Sequence, residues 1–127
     1  MRALVITKSG SLDVLKVLQR PDPTAGPGQV LVRVAAAGLN FADTMARKGI
    51  YPDAPPYPAV MGYEVAGTVE ALGEGVDRFA VGDRVFGGTH FGGQAELAAT
   101  AVGNLLPIPV GISFEQAAAV PVNYATA

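Results

Sequence analysis

The sequence contains no cysteine, only one histidine (His90) and no long apolar run. Without cysteine, disulfide bonds and thiolate metal sites are excluded. No apolar stretch approaches the ~20 residues that a membrane helix needs, so we expect no transmembrane segment. The apolar start of the chain, Met1 to Ile6, is too short for a signal peptide and is soon followed by Lys8. These absences favour a cytoplasmic location.

Charge is also scarce, with a net charge of −2 and no basic cluster longer than Arg47-Lys48. Nucleic-acid binding is therefore not expected. Between Val85 and Ala127 only Glu96 and Glu115 are charged, whereas about a quarter of the residues of an ordinary domain carry charge. We interpret this half as a surface that packs against another structure. The alternative is an alanine-rich, weakly charged but complete domain.

A length of 127 residues favours one domain. Glycine and proline are frequent, with 16 and 10 residues, which favours many turns rather than long helices. Apolar alternation between turn signals predicts short strands at 2–7, 14–19, 29–36, 62–73, 83–86, 94–100 and 104–107. The third of these is the clearest, because Val30, Val32 and Val34 share one face. Residues 87–93 are predicted to form a flexible glycine-rich loop.

Two helix starts can be read from capping residues. Asn40 is a good N-cap for a helix to about Lys48, where Gly49 ends it. Ser113 and Gln116 have the spacing of a capping box, so a second helix is predicted to follow. Many short strands with few helices favour a mainly β fold, closed or partly open as a barrel, because closure removes exposed strand edges.

Six motifs occur in a recognisable order: residues 37–44, 47–52, 62–67, 81–85, 92–96 and 121–127. With them, the whole chain resembles the N-terminal, GroES-like catalytic domain of the medium-chain dehydrogenase/reductases. Within that superfamily it is most similar to the zinc-free quinone oxidoreductase branch, including the vesicle-amine-transport-like relatives. The resemblance implies a GroES-like, partly open β-barrel.

The residues at two motif positions argue against zinc. A catalytic zinc ion needs three protein ligands of thiolate, imidazole or carboxylate type. In zinc-dependent relatives a cysteine would fall at Asn40 and a histidine at Tyr63, and neither residue here is a usual zinc ligand. His90 alone cannot make a site. We therefore expect no metal.

The resemblance also implies roles for individual residues. Tyr51 and Asp43 are the expected catalytic residues: Tyr51 as the proton donor to a substrate oxygen, and Asp43 as an acid that lines the cleft and orients its neighbours. The remaining expectations are NADPH contacts from Asn40, Asn123 and Thr126, and a substrate wall from Phe41 and Tyr63. Five of these residues have a structural alternative: Asn40 as N-cap, Asp43 as a partner of the helix dipole, and the three aromatic rings as packing.

Two features of the third motif, residues 62–67, which we call the signature segment, are expected to be structural. In the family that the chain resembles, a glutamate accompanies this motif even where zinc is lost, so the resemblance implies a structural or supporting part for Glu64. Gly62 and Gly67 are expected to allow close approach of neighbouring backbone.

No Gly-x-Gly-x-x-Gly motif occurs, and the glycine-rich loop at 87–93 lies between predicted strands, where it makes a poor phosphate site. In the family a Rossmann nucleotide-binding domain follows. We therefore interpret 1–127 as an incomplete GroES-like catalytic domain that binds NADPH weakly or not at all by itself. The resemblance allows a homodimer formed mostly through the absent domain.

The expected function is zinc-independent, NADPH-dependent hydride transfer to the conjugated carbonyl of a quinone or enone. Conjugation spreads the developing charge, so this reaction tolerates the lack of a Lewis acid better than alcohol oxidation does. One alternative is a GroES-like binding or assembly module without redox activity. The other is an enoyl-thioester reductase on the same scaffold.

Overall fold

The computed structural model describes all residues from Met1 to Ala127. Its strands are β1 (Arg2–Ile6), β2 (Leu15–Gln19), β3 (Gln29–Ala37), β4 (Ala59–Val60), β5 (Glu64–Leu72), β6 (Arg84–Gly88), β7 (Leu97–Ala101) and β8 (Leu105–Pro107). Its helices are α1 (Phe41–Arg47), α2 (Phe114–Ala118) and α3 (Pro121–Thr126), with short 3₁₀ turns at Leu12–Val14 and Val102–Asn104. None of the helices has the length and apolar character needed to span a bilayer.

The strands form two antiparallel sheets, ordered β2-β1-β4 and β7-β3-β5-β6-β8. They touch where Ala3 pairs with Ala95, and the Leu4 N–H donates to the Gln94 carbonyl at 2.9 Å. The sheets do not close into a continuous barrel. This confirms the mainly β, GroES-like and partly open fold expected from the sequence.

The central pair of the larger sheet, β3 and β5, holds the main core. Val30 and Val32 of β3 are fully buried, as the alternation predicts, whereas Arg33 is exposed and pairs with Glu70 across the strands. The buried members of this core are Val30, Val32, Val65, Val69, Phe79, Val85, Ala98 and Leu105. The signature segment is thus held in place by its own strand, β5, which pairs with β3 and packs in this core.

Glycine is required at two positions of the signature segment. A Cβ at Gly67 would lie 2.0 Å from the Arg33 carbonyl oxygen, so β3 and β5 could not pair as they do. At Gly62 the backbone has φ of +108°, and a Cβ would lie 2.6 Å from the Gln94 backbone nitrogen. Both glycines therefore serve the close backbone approach that the sequence predicts.

The C-terminal part is two short helices rather than one. The capping box is confirmed: the Gln116 N–H donates to Ser113 Oγ at 3.1 Å, and the Ser113 N–H donates to Gln116 Oε1 at 2.9 Å. Ala117 and Ala118 are buried against Ala66 and Ile108. Pro121 lies in the first turn of α3, where its missing N–H costs little.

The glycine-rich segment begins later than predicted. β6 continues through Gly87 and Gly88, which pair with Val65 and Glu64. Glycine is required at position 87 of this strand because a Cβ would lie 1.9 Å from the Asn104 carbonyl oxygen. Close strand packing, invisible to a composition-based interpretation, selects glycine at this position.

Candidate functional site

A solvent-open cleft of about 450 Å³ lies between the start of α1 and α3. We call it the α1–α3 cleft. Its walls are Asn40, Phe41 and Ala42 on one side and Val122, Asn123, Thr126 and Ala127 on the other. Four of the seven residues singled out from the sequence, Asn40, Phe41, Asn123 and Thr126, are brought together here from distant parts of the chain.

The first wall is held in place by local interactions of α1. Asp43 Oδ2 accepts a hydrogen bond from the Asn40 N–H at 2.8 Å, which orients the residue that opens the helix. Gly49, with φ of +75°, ends the helix as expected. The Phe41 ring is 79% exposed at the cleft, so it has no core role.

Glu64 joins the two walls, and it was missing from the predicted site. Its side chain is 1% exposed. Oε1 accepts a hydrogen bond from Asn40 Nδ2 at 2.9 Å, and Oε2 accepts one from the Val122 N–H at 2.8 Å. One signal in the sequence could have found it, namely a carboxylate at the start of an otherwise apolar strand.

Asp43 lies beside the cleft but does not line it. Burial raises the pKa of the Asp43 carboxyl, the N–H groups of Asn40 and Gly62 oppose this rise, and the negative charge of Glu64 adds to it. Its Oδ1 is buried without a hydrogen-bond partner. The geometry makes Asp43 a residue that orients Asn40.

Tyr51 and Tyr63 lie together in a separate aromatic group with Phe91. The Tyr63 ring centroid is 6.2 Å from that of Tyr51 and 5.4 Å from that of Phe91. Burial raises the pKa of the Tyr63 phenol, and the neighbouring Tyr51 hydroxyl and Asp43 charge add to the effect. Neither tyrosine lines the α1–α3 cleft, so the expected donor and substrate-wall residue are separated from the other four.

The side chains of the α1–α3 cleft fit one end of a dinucleotide. Two amides (Asn40 and Asn123), the Thr126 hydroxyl and the exposed Phe41 ring suit a neutral planar ring that carries a carboxamide, as nicotinamide does. The Asn123 side-chain N–H₂ already donates to the Ala119 carbonyl at 3.1 Å, which leaves its oxygen as an acceptor. No lysine or arginine lines the cleft, so these residues do not fit the phosphates.

No three His, Cys, Asp or Glu side chains are grouped so that they could hold a metal ion. Glu64 accepts hydrogen bonds from amide and backbone N–H groups at both of its carboxylate oxygens, and Asp43 accepts one at Oδ2.

The sequence matches known families along most of its length. Residues 26–126 match the alcohol dehydrogenase GroES-like domain family. The chain is 47% identical over 130 residues to the human synaptic vesicle membrane protein VAT-1 homolog, covering 100% of the chain and 33% of that protein. It is 48% identical over 112 residues to a quinone oxidoreductase of Pseudomonas aeruginosa, covering 87% and 34%. The chain thus spans about a third of the length of these curated relatives.

Solved structures of similar proteins superpose on most of this chain. The human VAT-1 homolog-like protein superposes with a TM-score of 0.96 at 40% identity, covering 99% of this chain and 41% of that chain. A mycobacterial protein in complex with NADPH gives 0.86 at 38%, covering 93% and 37%. The CurK enoyl reductase gives 0.90 at 30%, covering 98% and 40%.

Proposed function

Because the chain belongs to the alcohol dehydrogenase GroES-like domain family, within the medium-chain dehydrogenase/reductase superfamily of oxidoreductases, we propose that it is the substrate-side part of a zinc-independent NADPH:quinone or enone oxidoreductase. In this proposal a Rossmann domain outside residues 1–127 binds most of the NADPH. Homodimer formation through that domain and a cytoplasmic location stay part of the proposal.

The single observation that carries the proposal is the α1–α3 cleft. Asn40 and Phe41 meet Asn123 and Thr126 there, although more than half of the chain separates the two pairs. The relatives named as quinone oxidoreductases and the NADPH complex of a similar fold support the same reaction class.

When bound, the reduced nicotinamide supplies the hydride. This chain's own residues would hold and orient it: Asn40 and Thr126 offer hydrogen-bonding groups, and the Phe41 ring offers an apolar surface. Tyr51 is the proposed proton donor to the substrate oxygen, and Tyr63 shapes the aromatic surface beside it.

Zinc independence is proposed from the residues that stand at the ligand positions. Asn40 is an amide and Tyr63 a buried phenol, and neither is a usual zinc ligand. A conjugated acceptor spreads the charge that develops after hydride addition, so hydrogen-bond donors alone can stabilise it.

The test compares the full product of the gene that encodes this sequence with residues 1–127 alone. The full product is expected to oxidise NADPH in the presence of 1,4-benzoquinone or an enone, and a strong zinc chelator is expected to leave the rate unchanged. Residues 1–127 alone are expected to be inactive. Robust turnover by 1–127, or loss of activity with the chelator, would contradict the proposal.

An enoyl-thioester reductase is the second candidate, supported by the likeness to the CurK enoyl reductase. A panel of quinones, enones and enoyl thioesters separates these substrates by kcat/KM. A full gene product that turns over none of them would favour a binding or assembly module instead.

A further inference from the structure

Glu64 is the most deeply buried charged side chain of the chain, and the proposed reaction does not use it. All three ion pairs of the protein lie elsewhere: Met1 with Asp22, Arg2 with Glu96 and Arg33 with Glu70. A buried carboxylate without a cation is costly unless hydrogen bonds satisfy it. Its two N–H partners are therefore what holds it in place.

Those partners belong to opposite walls of the α1–α3 cleft. Asn40 Nδ2 reaches Oε1 at 2.9 Å from the start of α1, and the Val122 N–H reaches Oε2 at 2.8 Å from the first turn of α3. β5, which carries Glu64, is fixed between β3 and β6. One carboxylate on a rigid strand thus holds both walls.

The surrounding backbone leaves room for this arrangement. A Cβ at Gly38 would lie 2.1 Å from Glu64 Oε1, so the segment between β3 and α1 can pass the carboxylate only as glycine. The Gly38 N–H also donates to the Glu64 carbonyl oxygen at 3.1 Å. Main chain and side chain of Glu64 both bind the segment that leads into the first wall.

We propose that Glu64 is a positioning residue that sets the spacing of the α1–α3 cleft by binding Asn40 on one wall and Val122 on the other. Its consequence for NADPH rests on the proposed function. The hydrogen bonds that set the spacing do not, because amide exchange reports on them in residues 1–127 without cofactor.

We expect the two hydrogen bonds that Glu64 accepts, and not its negative charge, to set the spacing of the cleft. In Glu64→Gln the amide oxygen can accept from the Val122 N–H, and the amide N–H₂ can donate to Asn40 once the Asn40 side chain turns over. Glu64→Met has similar length but accepts from neither partner. Glu70→Met, on the same strand but exposed and paired with Arg33, is the matched control.

The first readout is residue-resolved amide hydrogen exchange of residues 1–127. Glu64→Met is expected to speed exchange of the Val122 N–H by about tenfold or more, since a hydrogen bond to a charged group is lost. Amides of β3 and β5 are expected to change little. The melting temperature is expected to fall only slightly, because removal of a buried charge offsets part of the cost of the two N–H groups left without an acceptor. Glu64→Gln and Glu70→Met should resemble the wild type.

The second readout is the steady-state kinetics of the full gene product. Glu64→Met is expected to raise KM for NADPH about tenfold with a smaller change in kcat, and Glu64→Gln to restore the wild-type KM. Unchanged Val122 exchange in Glu64→Met, or a Gln variant as impaired as Met, would overturn the proposal. If exchange changes while KM does not, Glu64 is structural only, which also overturns it.

If the wild-type gene product lacks activity, the proposed function fails. The exchange data then still decide whether Glu64 holds the two walls of the cleft. Should Glu64→Met not fold, Asn40→Ala tests one arm alone, because Asn40 is only half-buried. Faster exchange at the start of α1 with Val122 protected as in the wild type is then expected. An unchanged α1 would count against the proposal.

Discussion

The Tyr51 ring meets the Tyr63 ring edge to face, with centroids 6.2 Å apart and planes at 84°. This is a favourable arrangement for two aromatic rings. It leaves the Tyr63 hydroxyl buried without a hydrogen-bond partner. A buried hydroxyl without a hydrogen-bond partner lowers the stability of the fold. A phenylalanine ring could pack at this position without that cost.

We therefore predict that Tyr63→Phe stabilises residues 1–127 by about 1 kcal/mol in urea unfolding, because the unsatisfied hydroxyl is removed. The matched control is Tyr57→Phe. The Tyr57 hydroxyl donates to the Ala46 carbonyl, so its removal is expected to destabilise the protein by about 1 kcal/mol. A loss of stability in Tyr63→Phe would show that the hydroxyl has a partner in solution.

Tyr51→Phe is predicted to lower kcat of the full gene product by about a hundredfold with a quinone acceptor, the lower end of the usual contribution of a general acid. The ring, and with it the edge-to-face contact, is retained. Tyr57→Phe, which lies outside the proposed site, serves as the control for kcat. An unchanged kcat in Tyr51→Phe would remove the donor role from this residue.

Gly67→Ala is predicted to destabilise the fold by about 3 kcal/mol or to prevent folding, since the new methyl group meets the Arg33 carbonyl oxygen and the strands must separate. Gly103→Ala is the control, because no atom lies within 4 Å of its added Cβ. That variant is expected to stay within about 0.5 kcal/mol of the wild type. Equal effects of the two substitutions would contradict the close approach of β3 and β5.

The raised pKa of Asp43 predicts that the stability of the fold decreases as the pH rises. Its pKa is raised in the folded state, first of all by burial. The folded state then binds a proton more tightly than the unfolded state, so stability falls as pH rises from about 3.9, the ordinary aspartate value, through the raised pKa. Asp43→Asn removes this loss. Its stability relative to the wild type is expected to grow across that interval and then level off.

Glu70→Gln is the control of opposite sign. Hydrogen bonding to Arg33 lowers the pKa of Glu70, so its stabilising effect is complete above the ordinary glutamate pKa and is lost as pH falls through the lowered value. Urea unfolding at a series of pH values measures both variants. Parallel curves for Asp43→Asn and the wild type would contradict the raised pKa.

Local signals predicted most of the fold. Alternation placed β3 because Val30, Val32 and Val34 share the face that packs in the main core, and capping chemistry placed the start of α2 directly after Ser113. Gly87 shows the limit of such signals. Composition favours a loop there, but Gly87 pairs with Val65 in a strand, and the approach of the Asn104 carbonyl oxygen requires glycine within that strand.

The candidate site was predictable in its members and not in its connections. Asn40, Phe41, Asn123 and Thr126 came from motifs, yet no motif states that they share a cleft. Tyr51 and Tyr63 came from the same motifs and lie elsewhere, in the aromatic group with Phe91. The order of the motifs identifies the family, whereas the distances between side chains depend on how the strands and helices pack in the folded chain.

By itself the sequence determined the strand periodicity, the helix caps and the residue types at the zinc positions, because each depends on residues a few positions apart. The tertiary structure alone decided the part of Glu64. Its two partners lie 24 and 58 residues away, and only the folded sheet brings both within hydrogen-bond distance of one carboxylate.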